Sequence, residues 1–351
     1  MKVYRIGISG VGFGVKAHLP ALVAHPRFEV VALASPSTAQ AVAKERNIPH
    51  AFTSCEAMLA GVELDAVVIA SPPFTHRDDV LASLAASKHV ICEKPFALNV
   101  AQAEEMVAAS ERAGTACGVA HEFRFLPDRA AMKQLVANNH LTPLREIEVT
   151  HLARWLRAED TERNRGWWFD REKGGGLSGA MFSHMIDTSN WIAGRPPKRV
   201  FGFIRTANPI RHDKEGEFTS TVDDGCFALL DYGDGFVGRL TADATANIDS
   251  FTFAVHAENR TAVASGIYHH EATLYTVDSE ETNELQLKPP PYDKFKSTGG
   301  NVPYLMELYD EFVKQIETRT SALPSFQEAL ETQRVLEAIG YSTAGLNPQL
   351  R

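Results

Sequence analysis

The chain has 351 residues, more than one hydrophobic core ordinarily serves, so two domains are expected. With 44% hydrophobic and 23% charged residues it has the mix of a soluble globular protein. The net charge of −9 disfavours nucleic acid or an anionic membrane as the main partner, since both require a basic face, but leaves room for an anionic small molecule held by a local positive site.

The opening segment, MKVYRIGISG, runs directly into a β-like stretch and predicts no export signal. No apolar run is long enough to span a bilayer. Cys55, Cys92, Cys117 and Cys226 form no CxxC pair, which argues against a disulfide framework and against a zinc site. A reducing cytoplasm is the expected compartment, and no metal is expected.

The first third alternates short apolar runs with helical stretches. Val3 to Ser9, Glu29 to Ala34, Asp65 to Ala70, His89 to Cys92 and Thr115 to Val119 read as strands. Ala17 to Ala24, Gln40 to Arg46, Arg77 to Ala86 and a segment from the N-cap Asn99 to Ala113 read as helices, the last ended by Gly114. Continuous apolar strands between helices indicate a parallel sheet covered on both faces. Beyond about residue 122 the rhythm changes. Pro127 to Asn138 reads as a helix. Ile147 to His151, Val200 to Arg205, Cys226 to Tyr232, Phe236 to Thr241 and Phe251 to Ala257 alternate as half-buried strands do, and Tyr232-Gly233-Asp234-Gly235 is hairpin chemistry. Lys288 to Asn301 reads as a loop, and helices are expected over Val302 to Thr318 and Ser325 to Tyr341. The fold class is therefore α/β: a doubly wound parallel sheet over 1–122, then an α+β domain over 123–351 with a large, mostly antiparallel open sheet.

Between the first strand and first helix lies Gly10-x-Gly12-x-Gly14. Glycines there permit a tight turn and let the backbone approach a pyrophosphate at the helix N-terminus. The usual spacing would place the third glycine at Val15; here it comes one residue early. A ligand-free glycine turn is the bland alternative. After the second strand comes Ser35, with no acid to bind ribose hydroxyls and no arginine at once to clamp a 2′-phosphate. This tilts the expectation slightly toward NADP.

Val90 to Phe96 (VICEKPF) closes a strand with Glu93-Lys94-Pro95. Ala70-Ser71-Pro72-Pro73 with His76 precedes it. Glu122-Phe123-Arg124-Phe125, Gly174-Gly175-Gly176 and His184-Met185-Ile186-Asp187 follow. This ordered set resembles the glucose–fructose oxidoreductase / inositol dehydrogenase / rhizopine catabolism (Gfo/Idh/MocA) family over nearly the whole chain. The resemblance implies hydride transfer between NAD(P) and a sugar or polyol carbon, and homodimers or homotetramers built through the C-terminal sheet. It implies Lys94 and His184 as active-site residues. Gly10, Gly12, Phe13, Gly14, Val15, Ser35, Ser71, Pro72, His76, Glu93, Lys94 and Pro95 would line the cofactor. One position departs from the pattern: the family often has an aspartate four residues before the histidine, where this chain has Ala180.

Oxidising an alcohol requires a base for the hydroxyl proton and a group that stabilises charge on the oxygen. His184 as base and Lys94 as stabiliser, or the reverse, satisfy this with the two meeting over the nicotinamide. Glu122, Arg124, Trp168 and Asp187 are candidates for substrate contacts. The alternatives are ordinary. Arg124 could pair with a carboxylate, and Trp167-Trp168-Phe169, beyond the charged loop Arg157 to Arg165, could anchor that loop to a core. His18 reads as structural, His76 equally as a helix-start residue, and His269-His270 as surface. Cys92 reads as buried and inert. A protein that binds NAD(P) and a small ligand without catalysis, to regulate a partner, is the second functional hypothesis.

Overall fold

The computed structural model describes residues 1–157 and 164–340. Most of the charged loop between Arg157 and Arg165, and Tyr341, lie outside the described residues. The described residues form two compact units: Met1–Phe125 with Pro290–Leu330, and Leu126–Pro289 with Glu331–Gly340. A cut at 122/123 falls within the first unit's last turn, and the chain returns to that unit late.

The first unit is a six-stranded parallel sheet of β1 (Tyr4–Ser9), β2 (Phe28–Ala34), β3 (His50–Phe52), β4 (Ala66–Ile69), β5 (His89–Cys92) and β6 (Cys117–Val119), in the order β3-β2-β1-β4-β5-β6. Crossovers are α1 (Leu19–Ala24), α2 (Ala39–Arg46), α3 (Cys55–Gly61), α4 (Pro73–Ala85) and α5 (Val100–Ala113). β4 is buried at every position, as a strand covered on both faces must be. Asn99 caps α5, its Oδ1 accepting from Gln102 N at 2.9 Å, and Gly114 ends it at φ +61°. α4 starts four residues earlier than the sequence pattern suggests, because Pro73 suits a first helical turn. β3 and α3, too short for periodicity to reveal, complete the winding. One face of the sheet is covered by α1 and by α8 (Val302–Thr318), whose Leu305, Tyr309 and Phe312 are fully buried there. The segment 288–301 holds a single 3-10 turn, Asp293–Thr298.

In the second unit α6 (Pro127–Ala137) and α7 (Ser183–Ala193) accompany an eight-stranded sheet. Its strands are β7 (Leu144–Leu152), β8 (Arg199–Arg205), β11 (Gly225–Gly233), β12 (Phe236–Asp243), β13 (Ser250–Ala257), β14 (Thr261–Gly266), β15 (Thr273–Val277) and β16 (Thr282–Glu284). Between β8 and β11 sits a separate hairpin, β9 (Ile210–Asp213) and β10 (Gly216–Thr219). The order is β16-β15-β14-β13-β7-β12-β11-β8, antiparallel except for β7 with β12. The β11–β12 turn has positive φ at Gly233, Asp234 and Gly235, as the sequence predicts. Inward residues alternate with outward ones: Ile147, Val149 and Leu240 are fully buried, while Phe201 and Phe203 on the other face are 60% and 58% exposed. Leu229 joins them, and Phe203 stacks on Phe227 at 4.9 Å. α9 (Phe326–Ala338) starts in the first unit and ends in the second.

Candidate functional site

The carboxyl ends of the parallel strands gather most of the cofactor candidates. Gly10 sits at φ +101°, and a Cβ there would lie 2.2 Å from Ala70 O. Its N–H donates to Ala34 O at 2.8 Å. This position accepts only glycine, since backbone lies against backbone. A Cβ on Gly14 would meet Ile8 Cγ2 at 2.8 Å, whereas one on Gly12 would meet nothing within 4 Å. The early third glycine therefore packs the helix onto β1, whereas the Gly12 position is open. The helix opens as a wider π turn, Gly14–His18, a feature that recurs at functional sites. Phe13 projects from the loop, and Val15 packs against the core.

At the end of β2, Ser35 Oγ lies 3.1 Å from Thr38 Oγ1. At the end of β4, Ser71 Oγ donates to Asp79 Oδ2 at 2.9 Å, as does Ser9 Oγ. Burial pushes the Asp79 carboxyl above its usual range against these bonds. Pro72 immediately precedes α4. His76 is fully buried, its ring nitrogens 2.8 Å from Ser71 O and 3.0 Å from Pro95 O. Burial lowers its pKa against the pull of these carbonyls and of Glu93 and Asp79, and the ring spans the Ser71 loop and the Lys94 loop.

Glu93 is buried after β5. Its Oε1 lies 2.8 Å from His18 Nε2, and its Oε2 accepts from Lys94 N at 3.1 Å. His18 Nδ1 lies 2.6 Å from Tyr309 Oη on α8. Burial alone would raise the Glu93 pKa; the bond from His18, with the fields of His18, Lys94 and His76, outweighs it and holds the carboxyl below its usual range. Lys94 Nζ stands 5.9 Å from the Phe13 ring centroid, which brings the glycine loop and the lysine loop to one place. The Lys94–Pro95 peptide is cis. Cys92 is fully buried with its thiol pKa pushed well up by burial, so it has no thiolate character.

Glu122 is buried after β6 and accepts from Asn301 Nδ2 at 3.0 Å. Burial first, and then the charge of Glu93, push its pKa up to about 8, partly offset by Lys94. Arg124 is buried and pairs with Glu328 Oε1 at 2.7 Å, the carboxylate partner that was the ordinary reading of this arginine.

In the second unit His184 and Asp187 lie buried on the first turns of α7. This helix also opens as a π turn, Ser178–Phe182, which contains Ala180. The turn is held by Asp223: Oδ2 accepts from Ser178 N at 2.6 Å and Oδ1 from Ser178 Oγ at 2.8 Å. Trp168 is half-buried and packs edge-on against Phe169 at 5.2 Å. His269 and His270 pack among His151, Phe251 and Tyr268, and no group of acids, histidines and cysteines among the described residues is arranged to hold a metal. Tyr309, Asn301 and Asp223 escaped the sequence reading. Each acts across a long sequence separation, and no local pattern marks it.

Two family descriptions match the chain: an oxidoreductase family with an NAD-binding Rossmann fold over residues 4–121, and the GFO/IDH/MocA C-terminal domain over 130–263. An uncharacterized oxidoreductase of Synechocystis sp. is 35% identical over 54% of this chain; the match spans about half (51%) of that relative's length. A putative UDP-kanosamine synthase oxidoreductase subunit of Amycolatopsis mediterranei is 32% identical over 74% of each chain. The 1,5-anhydro-D-fructose reductase of Ensifer adhaerens is 27% identical over 74% of this chain and 76% of its own. Levoglucosan dehydrogenase, solved with NADH and L-sorbose, shares the fold over 98% of this chain and 97% of its own, with TM-score 0.86 at 22% identity.

Proposed function

The chain belongs to the Gfo/Idh/MocA oxidoreductase family, and from that premise we propose that it is an NAD(P)-dependent dehydrogenase or reductase acting on a sugar, polyol or related carbonyl compound. The observation that carries this reading is the set of loops gathered at the strand ends of the first unit. Gly10 is pinned to Ala70, Gly12 is open, and Glu93-Lys94 stands beside them. Names of relatives that act on anhydrosugars support the substrate class.

Gly10 to Val15 would hold the diphosphate, with Ser35, Ser71, Pro72, His76, Glu93 and Pro95 framing the rest of the dinucleotide. Bound nicotinamide supplies the hydride acceptor or donor. The chain's own residues handle the proton and the charge. His184 takes the hydroxyl proton and Lys94 stabilises the developing oxyanion, or the two exchange these tasks. Glu122, Arg124, Trp168 and Asp187 remain the candidates for shaping the substrate end. Ser35, with no carboxylate to repel a 2′-phosphate, slightly favours NADP. The exposed Phe201, Phe203 and Leu229 form an apolar patch on the open sheet, of the kind that self-association covers, and support a homodimer or homotetramer. No helix among the described residues is long and apolar enough to cross a membrane. The four free thiols suit a cytoplasmic enzyme.

The test follows nicotinamide absorbance across a panel of sugars and polyols. Lys94→Met and His184→Ala should each lower turnover on the order of 10²–10⁴-fold while the dinucleotide still binds. Full turnover in both variants would overturn the assignment. Tight cofactor binding with no turnover on any substrate would favour the regulatory alternative.

A further inference from the structure

The sheet order β3-β2-β1-β4-β5-β6 changes direction between β1 and β4, and dinucleotides bind at the carboxyl ends of strands beside such a reversal. Backbone pairing joins these two strands as far as the bond from Ala70 N to Ser9 O, at 2.7 Å. Beyond it the chain turns into Gly10 on one side and Ser71 on the other, and a side chain takes over. Asp79, on the second turn of α4, accepts from Ser9 Oγ and from Ser71 Oγ on the same oxygen, Oδ2, each at 2.9 Å. Ser71 is held from this helix at two further points. Thr75 Oγ1 lies 2.7 Å from its Oγ, and His76 Nε2 lies 2.8 Å from its carbonyl oxygen. A carboxylate oxygen only accepts and a serine hydroxyl carries one proton, so both serines aim that proton at Asp79. Ser71 has no O–H left for a ligand.

We infer that Asp79 is a positioning residue of the dinucleotide site: it clamps the Gly10 loop to the Ser71 loop, and the Ser71 hydroxyl serves this clamp and not the ligand. The inference rests on the NAD(P) reading above and deepens it. Ser9 immediately precedes Gly10, where a Cβ would lie 2.3 Å from Ser71 N, so the two loops already meet backbone to backbone. Ser9 is buried and Ser71 half-buried. With both hydroxyl protons turned toward Asp79, what this pair of loops offers a dinucleotide is backbone, at a spacing that the carboxylate sets. Binding is tighter when such loops are held in place beforehand, because less freedom is lost when the ligand arrives. Without the carboxylate the strand ladder still holds β1 to β4, but the loops beyond its end lose their preset spacing.

The experiment measures dissociation constants of NADH and NADPH by calorimetry on the full-length protein, at a temperature where circular dichroism shows each variant folded. The unaltered protein should bind at least one of them. Asp79→Ala should weaken that binding about tenfold, the size of one hydrogen bond to a charged group. Ser71→Ala should weaken it by no more than that. The double variant should bind no more weakly than Asp79→Ala alone, because both changes remove the same clamp. Ser83→Ala removes a bond from Ser83 Oγ to Asp79 O, 2.7 Å long, on the same helix, and should leave the dissociation constant unchanged. Should Asp79→Ala not fold, Asp79→Asn carries the test: its carbonyl still accepts, and binding should weaken about threefold. Unchanged affinity in the Asp79 variant that folds overturns the positioning role, and so does an equal loss in Ser83→Ala. Losses that add in the double variant overturn the assignment of the Ser71 hydroxyl to the clamp. If the unaltered protein binds neither nucleotide, the NAD(P) reading itself fails, and this inference fails with it.

Discussion

Two glycine-rich loops in this molecule precede π turns that run into helices bearing or following a buried histidine, and they use their glycines in opposite ways. The first, Gly10 to Gly14, leads through Gly14–His18 into α1. The second, Gly174 to Gly176, leads through Ser178–Phe182 to His184 on α7. In the first loop, Gly10 and Gly14 fit closely against β1 and the β4 end, while Gly12 faces open space. In the second loop the protein fills the room: a Cβ on Gly175 would lie 2.1 Å from Trp168 O, and one on Gly176, at φ +109°, would lie 2.6 Å from Asp223 Oδ1. One loop leaves a gap at Gly12, while the other packs against the Trp168 backbone and the Asp223 side chain. Glycine content alone does not tell an open loop position from a packed one; what a Cβ would strike does.

The contrast breaks most readily at its tightest contacts. Gly10→Ala and Gly175→Ala both force backbone apart, and each should cost more than about 3 kcal/mol of stability, read from urea midpoints. An alanine accepted at Gly175 at no cost would show that the second loop is not packed as described. Next in size, Asp223→Ala leaves the amide and hydroxyl of Ser178 buried without their acceptor and should cost about 2–3 kcal/mol. Asp223→Asn should recover part of that loss, since its carbonyl still accepts from one of them.

Gly12→Ala sharpens the comparison because it should separate stability from binding. The urea midpoint should hold to within about 0.5 kcal/mol, while the dinucleotide dissociation constant rises about tenfold, equivalent to about 1.4 kcal/mol. A variant that binds as tightly as the parent would mean that the gap at Gly12 holds no phosphate. A separate effect is on pH dependence. Glu122 has a folded-state pKa of about 8 against a reference of 4.5, so the folded chain binds more protons than the unfolded chain between those values. The stability that Glu122 contributes is full below about pH 4.5 and lost as pH rises through about 8. Glu122→Gln should flatten that part of the stability-versus-pH curve, measured by urea titration. An unchanged slope would place the proton elsewhere.

Much of the first unit could be read in advance from short-range chemistry. β4 and β5 are apolar without alternation because both faces are covered, and Asn99 and Gly114 bracket α5 because caps are local. The glycine loop and Glu93-Lys94 were legible for the same reason: each sits at a strand end that the alternation of strands and helices marks. In the second unit the alternation and the β11–β12 turn were visible, but the parallel pairing of β7 with β12 was not, since strand partners far apart in sequence leave no local trace. His18 read as merely structural, and the burial that hides it also places it on Glu93.

What the chain determines by itself is periodicity, caps, turns and the residue types available at each strand end, because these depend on neighbours within a few positions. What only the tertiary structure decides is company. The chain returns at α8 and its N-cap to bring Asn301 against Glu122, 179 residues away, and Tyr309 against His18, 291 residues away. Asp223 reaches back to Ser178 in the same way. The charge state of a buried acid depends on the donors and charges assembled around it. Folding assembles them from distant segments, so the partners of Glu93 and Glu122 belong to the structure and not to either residue's place in the sequence.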